Sequence, residues 1–218
     1  MEFTAPLYIP GETDLTLLIG PEEVEFEANY NILASQSKFF EVACHKHFKE
    51  GQERVIRLPD PEVEVDVMVQ VLEWLYRTEV EIPKDFMDDG PAENILKVLH
   101  LADFLQIDGL IKEYSQKIGR ALRQSPTPTY QWAHNGTRLQ NLVSILNTTY
   151  QLGGSTLRDD LAVYVKKLKT NKVVGALTDA ASSIEDPNGK FLQDLLYAVL
   201  KWNPLECQNQ STSRDRMR

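Results

Sequence analysis

The chain has few of the residues and motifs on which disulfide scaffolds, membrane proteins and enzymes depend. Its two cysteines, Cys44 and Cys207, are too few and too far apart in sequence for a disulfide framework. No apolar run approaches the roughly 18–20 residues of a membrane-spanning helix, and no basic segment followed by an apolar stretch opens the sequence. We therefore expect a cytoplasmic or nuclear protein with free thiols and no membrane partner.

Motifs of the common enzyme classes are also missing. The sequence contains no G-x-S-x-G, no phosphate-binding loop, no G-x-G-x-x-G and no H-E-x-x-H. Its carboxylate pairs, such as Asp88-Asp89 and Asp159-Asp160, are neighbours of the kind that lie at helix starts or in solvent. We expect no enzyme activity, no cofactor and no small-molecule substrate.

Charge is unevenly distributed along the chain. Residues 1–100 carry 21 acidic and 8 basic side chains, a net charge of −13, whereas residues 101–218 carry 11 acidic and 15 basic ones, a net charge of +4. An acidic first half repels a phosphate backbone, so we expect no nucleic-acid partner. The asymmetry also indicates two units with different surfaces.

One short segment brings together three soft metal ligands, Cys44, His45 and His47. Zinc requires about four ligands that converge, and separate segments usually supply them. The other histidines, His100 and His134, are distant in sequence. We therefore expect no metal site, with Cys44 buried as a small apolar side chain and both histidines at the surface.

The first half of the chain alternates between short strands and helices. Four segments predict short strands, the first two joined in a hairpin by a Gly-Pro turn: Asp14–Gly20, Val24–Ala28, Arg54–Leu58 and Glu79–Ile82. Ser37 is a candidate N-cap between two short helices. The segment from Val63 to Tyr76 has valines at alternate positions, typical of a strand, but its length and its apolar spacing favour a helix.

The second half is helical throughout. Apolar residues recur at helical spacing from Ile95 onward, with an interruption at Ser125-Pro-Thr-Pro-Thr129. We predict a linker at residues 124–128, an all-α domain at residues 129–203 and a disordered polar tail at residues 204–218.

Six motifs of the first half, in order and at the right spacing, resemble the BTB/POZ domain. They are Asp14–Gly20, Asn29–Phe40, Phe48–Glu50, Val55–Pro59, Leu72–Thr78 and Leu99–Ile107. The resemblance implies an α+β fold over residues 14–123, a small mixed sheet flanked by helices, preceded by an arm at residues 1–13. The resemblance also indicates a helix and not a strand for the valine-rich segment from Val63 to Tyr76. The residues around Phe48 are similar to those of fungal BTB proteins.

The resemblance implies a protein–protein interaction module that acts as an adaptor or scaffold. In BTB adaptors of cullin-based ubiquitin ligases, a hydrophobic-x-Glu motif in the loop after the second helix contacts the cullin, and Phe48, Lys49 and Glu50 stand at that place. The helical domain stands where such adaptors carry a BACK-type extension. No kelch or MATH repeats follow to recognise a substrate.

A second reading of the resemblance involves no cullin. Many BTB domains dimerise through their first helix and an exchanged N-terminal strand, which points to Leu7, Ile9, Ile32 and Gln36 as interface residues. The protein would then be a homodimer or heterodimer within a transcriptional or signalling complex. Asn29 and Tyr30 replace the His and basic residue that are usual in the family, so the charged groove of zinc-finger repressors is not expected here.

Overall fold

The computed structural model describes residues 13–45, 47–60, 63–124, 136–153, 157–168, 171–182 and 188–201. The strands are β1 (Leu15–Ile19), β2 (Val24–Ala28) and β3 (Val55–Leu58). The helices are α1 (Tyr30–Gln36), α2 (Lys38–Ala43), α3 (Lys49–Glu53), α4 (Val65–Arg77), α5 (Asp89–Phe104), α6 (Asp108–Gln124), α7 (Gly136–Gln151), α8 (Arg158–Lys167), α9 (Asn171–Ser182) and α10 (Gly189–Lys201). Within these residues, no helix is both long and apolar enough to cross a bilayer.

The sheet is mixed and small, as expected. β1 lies in the centre, antiparallel to β2 and parallel to β3, so that Leu17 faces Phe26 on one side and Ile56 on the other. Alternate residues of β1 are buried, which gives the central strand its apolar face. The predicted hairpin and the third strand are therefore confirmed.

Ser37 separates α1 from α2, as its residue type predicts. Its side-chain oxygen accepts a hydrogen bond from the backbone N–H of Phe40 at 3.2 Å and donates one to the carbonyl of Leu105 at 2.6 Å. The first bond satisfies a free donor at the start of α2. The second ties the junction of the two short helices to the end of α5.

The valine-rich segment is a helix. α4 buries Val67, Val71 and Leu75 on one face, spaced by four residues. The helix ends at Thr78, which adopts a left-handed conformation with φ of 55° and whose N–H bonds the carbonyl of Trp74.

The fourth predicted strand, Glu79–Ile82, is not formed. Val80 is buried and its two glutamate neighbours are exposed, so the alternation that suggested a strand is present. No strand of the described residues pairs with this segment, however, and a strand needs a partner for its backbone groups.

The elements described in the second half are all helices, as predicted. α10 packs on α8 and α7, and α9 packs on α7. Asn188 precedes α10, and its side-chain oxygen accepts hydrogen bonds from the N–H groups of Lys190 and Phe191. Its own N–H donates to the side chain of Asn147 at 2.7 Å, which connects the start of α10 to α7.

The chain forms two compact units, and each of them is made of two separate segments of the sequence. The first, here called the sheet unit, comprises the described residues of Met1–Glu81 and Lys97–Glu113. The second, the helical unit, comprises those of Ile82–Leu96 and Tyr114–Arg218. The domain boundaries predicted from sequence follow the extent of the family resemblance, whereas the two units follow the packing of the chain. The predicted boundaries therefore stay predictions. The arm at residues 1–13, apart from Thr13, and the tail at residues 204–218 lie outside the described residues.

Candidate protein-binding surface

Phe48, Lys49 and Glu50 begin a short helix and not a loop. α2 ends at Ala43, and Phe48 is the N-cap of α3, whose first turn contains Glu50. The N–H of Phe48 donates to the carbonyl of His45 at 2.9 Å. Gly51 allows this tight return, because a Cβ at that position would run into the carbonyls of His45 and Cys44. The backbone contact holds α3 against the end of α2 and so fixes where Phe48 and Glu50 stand.

Phe48 stands at the edge of a groove that is lined by both apolar and polar side chains. The groove has a volume of about 370 Å³ and is lined by Lys38, Phe39, Val42, Ala43, Phe48, Glu50, Ile56, Arg57 and Gln106. Phe48 is 50% exposed and Val42 46% exposed, although both are large apolar side chains. Ile56 is buried beneath them. Apolar side chains that protrude around a recess are typical of a surface that receives another protein.

A further aromatic side chain extends this surface. Phe104, at the end of α5, is 53% exposed, and its ring centroid lies 5.4 Å from that of Phe39. Phe104 also borders a second groove of about 440 Å³ that includes Val63 and Leu101. We call the set Phe39, Val42, Phe48, Glu50 and Phe104 the aromatic surface.

Glu50 is the charged residue of the aromatic surface, and its carboxylate is available to a partner. Around it, Lys38 pairs with Glu41 at 2.7 Å, and Arg57 lies 3.7 Å from Glu53. Glu50 is exposed, and in the described part of the chain no ion pair occupies its carboxylate. An apolar side chain beside an available carboxylate can anchor a partner and fix its orientation.

The soft ligands near this surface do not converge. Cys44 is buried, and burial raises the pKa of its thiol above the ordinary value. The rings of His45 and His47 stack at a centroid distance of 4.9 Å on the exposed surface. Among the described residues, no group of three or more His, Cys, Asp or Glu side chains could hold a metal ion.

Two of the residues predicted for a dimer interface, Ile32 and Gln36, are described, and neither is part of the aromatic surface. Leu7 and Ile9 lie outside the described residues. Ile32 is half-buried on α1, and the side-chain amide of Gln36 donates to the carbonyl of Leu75 at 2.5 Å. Gln36 therefore already has a partner within the sheet unit, and its role in a dimer stays a prediction.

Sequence reasoning missed Phe39, Val42 and Phe104 as surface residues. A signal was present for Phe39, because a six-residue helix with one buried face cannot bury both members of the Phe39-Phe40 pair. Phe40 is fully buried and Phe39 is not.

A family model now accounts for the order of these elements. The model of the BTB/POZ domain matches residues 11–121, about half of the chain. The chain belongs to the BTB/POZ domain family. This assignment confirms the fold expected from the six motifs, with helices following the domain. No curated protein matches the chain.

Membership in the BTB/POZ family defines the general role of the protein. BTB/POZ domains mediate protein–protein interactions and are not typically enzymes. The chain is therefore a protein–protein interaction module, and its aromatic surface is the candidate contact region in the sheet unit.

Proposed function

We propose that this BTB/POZ protein is an adaptor that binds a cullin of a ubiquitin ligase through the aromatic surface. The observation that carries the proposal is the exposure of Phe48 beside the groove, with the carboxylate of Glu50 next to it. The same two positions match the hydrophobic-x-Glu pattern of cullin-binding adaptors. A partner helix would cover Phe48 and Val42 and place a basic or amide group against Glu50.

The energetics of such a contact favour a small number of anchors. Burying a Phe side chain that is half exposed contributes about 1–2 kcal/mol, and a desolvated carboxylate with a matched donor adds a charge-assisted hydrogen bond. Interfaces commonly depend on a few residues of this kind near their centre. Phe48 and Glu50 are therefore expected to dominate the affinity, with Phe39, Val42 and Phe104 completing the covered area.

The test is binding of the purified chain to the N-terminal domain of a cullin from the same organism. The double variant Phe48→Ala with Glu50→Ala is expected to bind at least about tenfold more weakly, equivalent to about 1.4 kcal/mol. Val163→Ala with Asp159→Ala is the matched control, because it removes one exposed apolar side chain and one exposed carboxylate from α8. Equal binding by wild type and the Phe48/Glu50 variant, or no binding by wild type, would show that the proposal is wrong.

A further inference from the structure

The short helix that carries Glu50 packs on the rest of the protein mainly through a glycine. Of the five residues of α3, only Gly51 is buried, and the other four are exposed. The pair between Glu53 and Arg57, at 3.7 Å, lies at the surface, and exposed ion pairs contribute little to stability. A helix of this length is not stable by itself. The position of α3 therefore depends on the contact that Gly51 makes.

Gly51 makes this contact with backbone atoms. A Cβ built on this glycine would overlap the carbonyl oxygens of His45 and Cys44. At Gly109 and Gly119, in contrast, the atoms that an added Cβ would approach belong to side chains. A side chain can move aside by changing its rotamer, whereas the two carbonyls belong to the turn that ends α2. Therefore α3 can lie this close to the turn only if residue 51 has no side chain.

The backbone conformation at this position does not require glycine. Gly51 lies within α3, and it is not one of the described glycines with positive φ, which are Gly20 and Gly153. Within a helix, glycine is less favourable than alanine because it loses more conformational freedom on folding. The glycine therefore weakens α3, and the close approach to the turn explains it. A local cost of this kind is expected where a functional site needs a defined position.

The close approach fixes two residues of the aromatic surface. Phe48 is the N-cap of α3 and donates its N–H to the carbonyl of His45 at 2.9 Å, one of the two carbonyls that Gly51 meets. Glu50 is the neighbour of Gly51 in α3. We infer that Gly51 is a positioning residue of the aromatic surface, which sets where Phe48 and Glu50 stand although it is itself buried. The inference rests on the proposed function, because it concerns the same surface.

Gly51→Ala tests the inference in the full chain. Nonbonded carbon atoms are most stable at about 3.5–4.0 Å, so the new methyl group is expected to push α3 away from the turn by on the order of 1 Å. Binding groups must be held to within about 0.5 Å of their productive position. Since Phe48 and Glu50 then no longer fit their partner groups, we expect binding of the cullin N-terminal domain to weaken at least about tenfold.

Gly109→Ala is the matched control. Gly109 lies near the start of α6, in the same unit and outside the lining of both grooves, and its Cβ would meet the ring of Trp74 at 2.8 Å. Both variants add one methyl group at a crowded position of a helix. Both are expected to lower the midpoint of thermal unfolding slightly, but only Gly51→Ala is expected to weaken cullin binding.

A second measurement needs no partner. The amide proton of Phe48 is held by its hydrogen bond to His45, so we expect it to be protected from exchange with solvent in the wild type. Gly51→Ala is expected to speed its exchange, measured by NMR, and Gly109→Ala to leave it unchanged. Because Gly51 acts through Phe48 and Glu50, adding Gly51→Ala to the Phe48/Glu50 variant is expected to cause no further loss of cullin binding.

The outcomes separate this inference from the cullin proposal. If wild type does not bind the cullin but the Phe48 amide exchanges faster in Gly51→Ala only, the cullin proposal is wrong and the positioning role of Gly51 is supported. Unchanged exchange in Gly51→Ala, unchanged cullin binding by this variant, or an equal loss in Gly109→Ala would refute the inference. A Gly51→Ala chain that does not fold would also refute it, because the contact would then support the core and not α3 alone.

Discussion

The sheet unit and the helical unit differ in how they are held together. Among the buried polar side chains of the described residues, the sheet unit contains Ser37, whereas the helical unit contains Ser115, Asn147, Thr148, Thr149 and Asp194. The sheet unit has a backbone ladder that satisfies its polar groups while apolar side chains fill its core. The helical unit buries side-chain hydrogen bonds between helices.

This difference affects how each unit responds to substitution. Removing the hydrogen-bond partner of a buried polar group lowers the free energy of unfolding more than slightly trimming an apolar contact does. The reason is that the desolvation of the polar group is then no longer offset. Tyr150 shows the point: its hydroxyl donates to Asp194 and accepts from the N–H of Leu157 at 3.0 Å. We therefore expect the helical unit to be the more sensitive to single polar substitutions.

Ending the chain after Gln124 is the most severe test of the comparison. The helical unit includes Phe86 and Met87, which are buried, and Asn141 of α7 donates to the carbonyl of Met87 at 3.0 Å. Without α7 to α10, these side chains and those of Ile118 and Leu122 lose their cover. Each contributes about 1.5–3 kcal/mol when buried, so the loss is comparable to the stability of a whole domain.

The shortened chain, residues 1–124, is expected to lose cooperative thermal unfolding in circular dichroism or to aggregate in size-exclusion chromatography. A chain of residues 1–203 is the control, since it lacks only the segment predicted to be disordered. It is expected to unfold at the temperature of the full chain. A 1–124 chain with the same midpoint would show that the family segment is stable without the helices that follow it.

Two tyrosines allow the units to be compared by the same substitution. Tyr150→Phe in the helical unit removes a donor from buried Asp194 and an acceptor from Leu157, and we expect a loss of about 1–3 kcal/mol. Tyr76→Phe in the sheet unit removes only the acceptor of the Asn29 N–H, which it contacts at 2.7 Å in a partly buried position. Here we expect a loss of about 0.5–1.5 kcal/mol.

Urea unfolding of both tyrosine variants measures the difference. Burial raises the pKa of both hydroxyls, and the hydrogen bond to Asp194 raises that of Tyr150 further, so neither ionises at neutral pH and the comparison is free of charge changes. An equal loss for both variants, or a larger one for Tyr76→Phe, would contradict the proposed contrast between the units.

The sequence predicted the elements whose causes are local. The hairpin follows from a Gly-Pro turn, and the junction at Ser37 from a residue whose hydroxyl can cap a helix. The valines of Val65–Arg77 satisfy both periods; the length and apolar spacing of the segment favour the helix, and the family resemblance supports the same choice. Glu79–Ile82 shows that an alternating pattern of apolar and polar residues is not sufficient to predict a strand. The pattern gives alternate burial but does not supply a neighbouring strand for the backbone to pair with.

The candidate binding surface was only partly predictable. Phe48 and Glu50 were predicted from a motif of three consecutive residues. The groove beside them depends on Phe39 from α2, Ile56 from β3 and Gln106 beyond α5, which are brought together by tertiary packing. The grouping of residues 82–96 with the helical unit was also not visible in sequence, because it depends on contacts such as that of Asn141 with Met87.

Asp160 provides the finest test of the helical unit. Its carboxylate lies at the start of α8, close to Gly119, where a Cβ would collide with it. Burial raises the pKa of this carboxyl above its ordinary value, Arg123 at 2.9 Å opposes the shift, and Asp159 adds to it. The Nε of Arg123 lies 2.9 Å from Oδ1 without the geometry of a hydrogen bond, so this ion pair offsets only part of the effect of burial on the ionised form.

The raised pKa predicts the sign of a pH effect on stability. Between the unfolded and folded pKa values the folded state binds more protons, so the wild type loses stability as the pH rises through this range. Asp160→Asn cannot ionise and does not have this loss. The free energy of unfolding of the variant, relative to wild type, is therefore expected to be higher at pH 7 than at pH 3, as measured by urea unfolding at both values. Asp159→Asn, which removes the exposed neighbouring charge, is the control; a pH-dependent difference as large as that of Asp160→Asn would attribute the effect to net charge and not to burial.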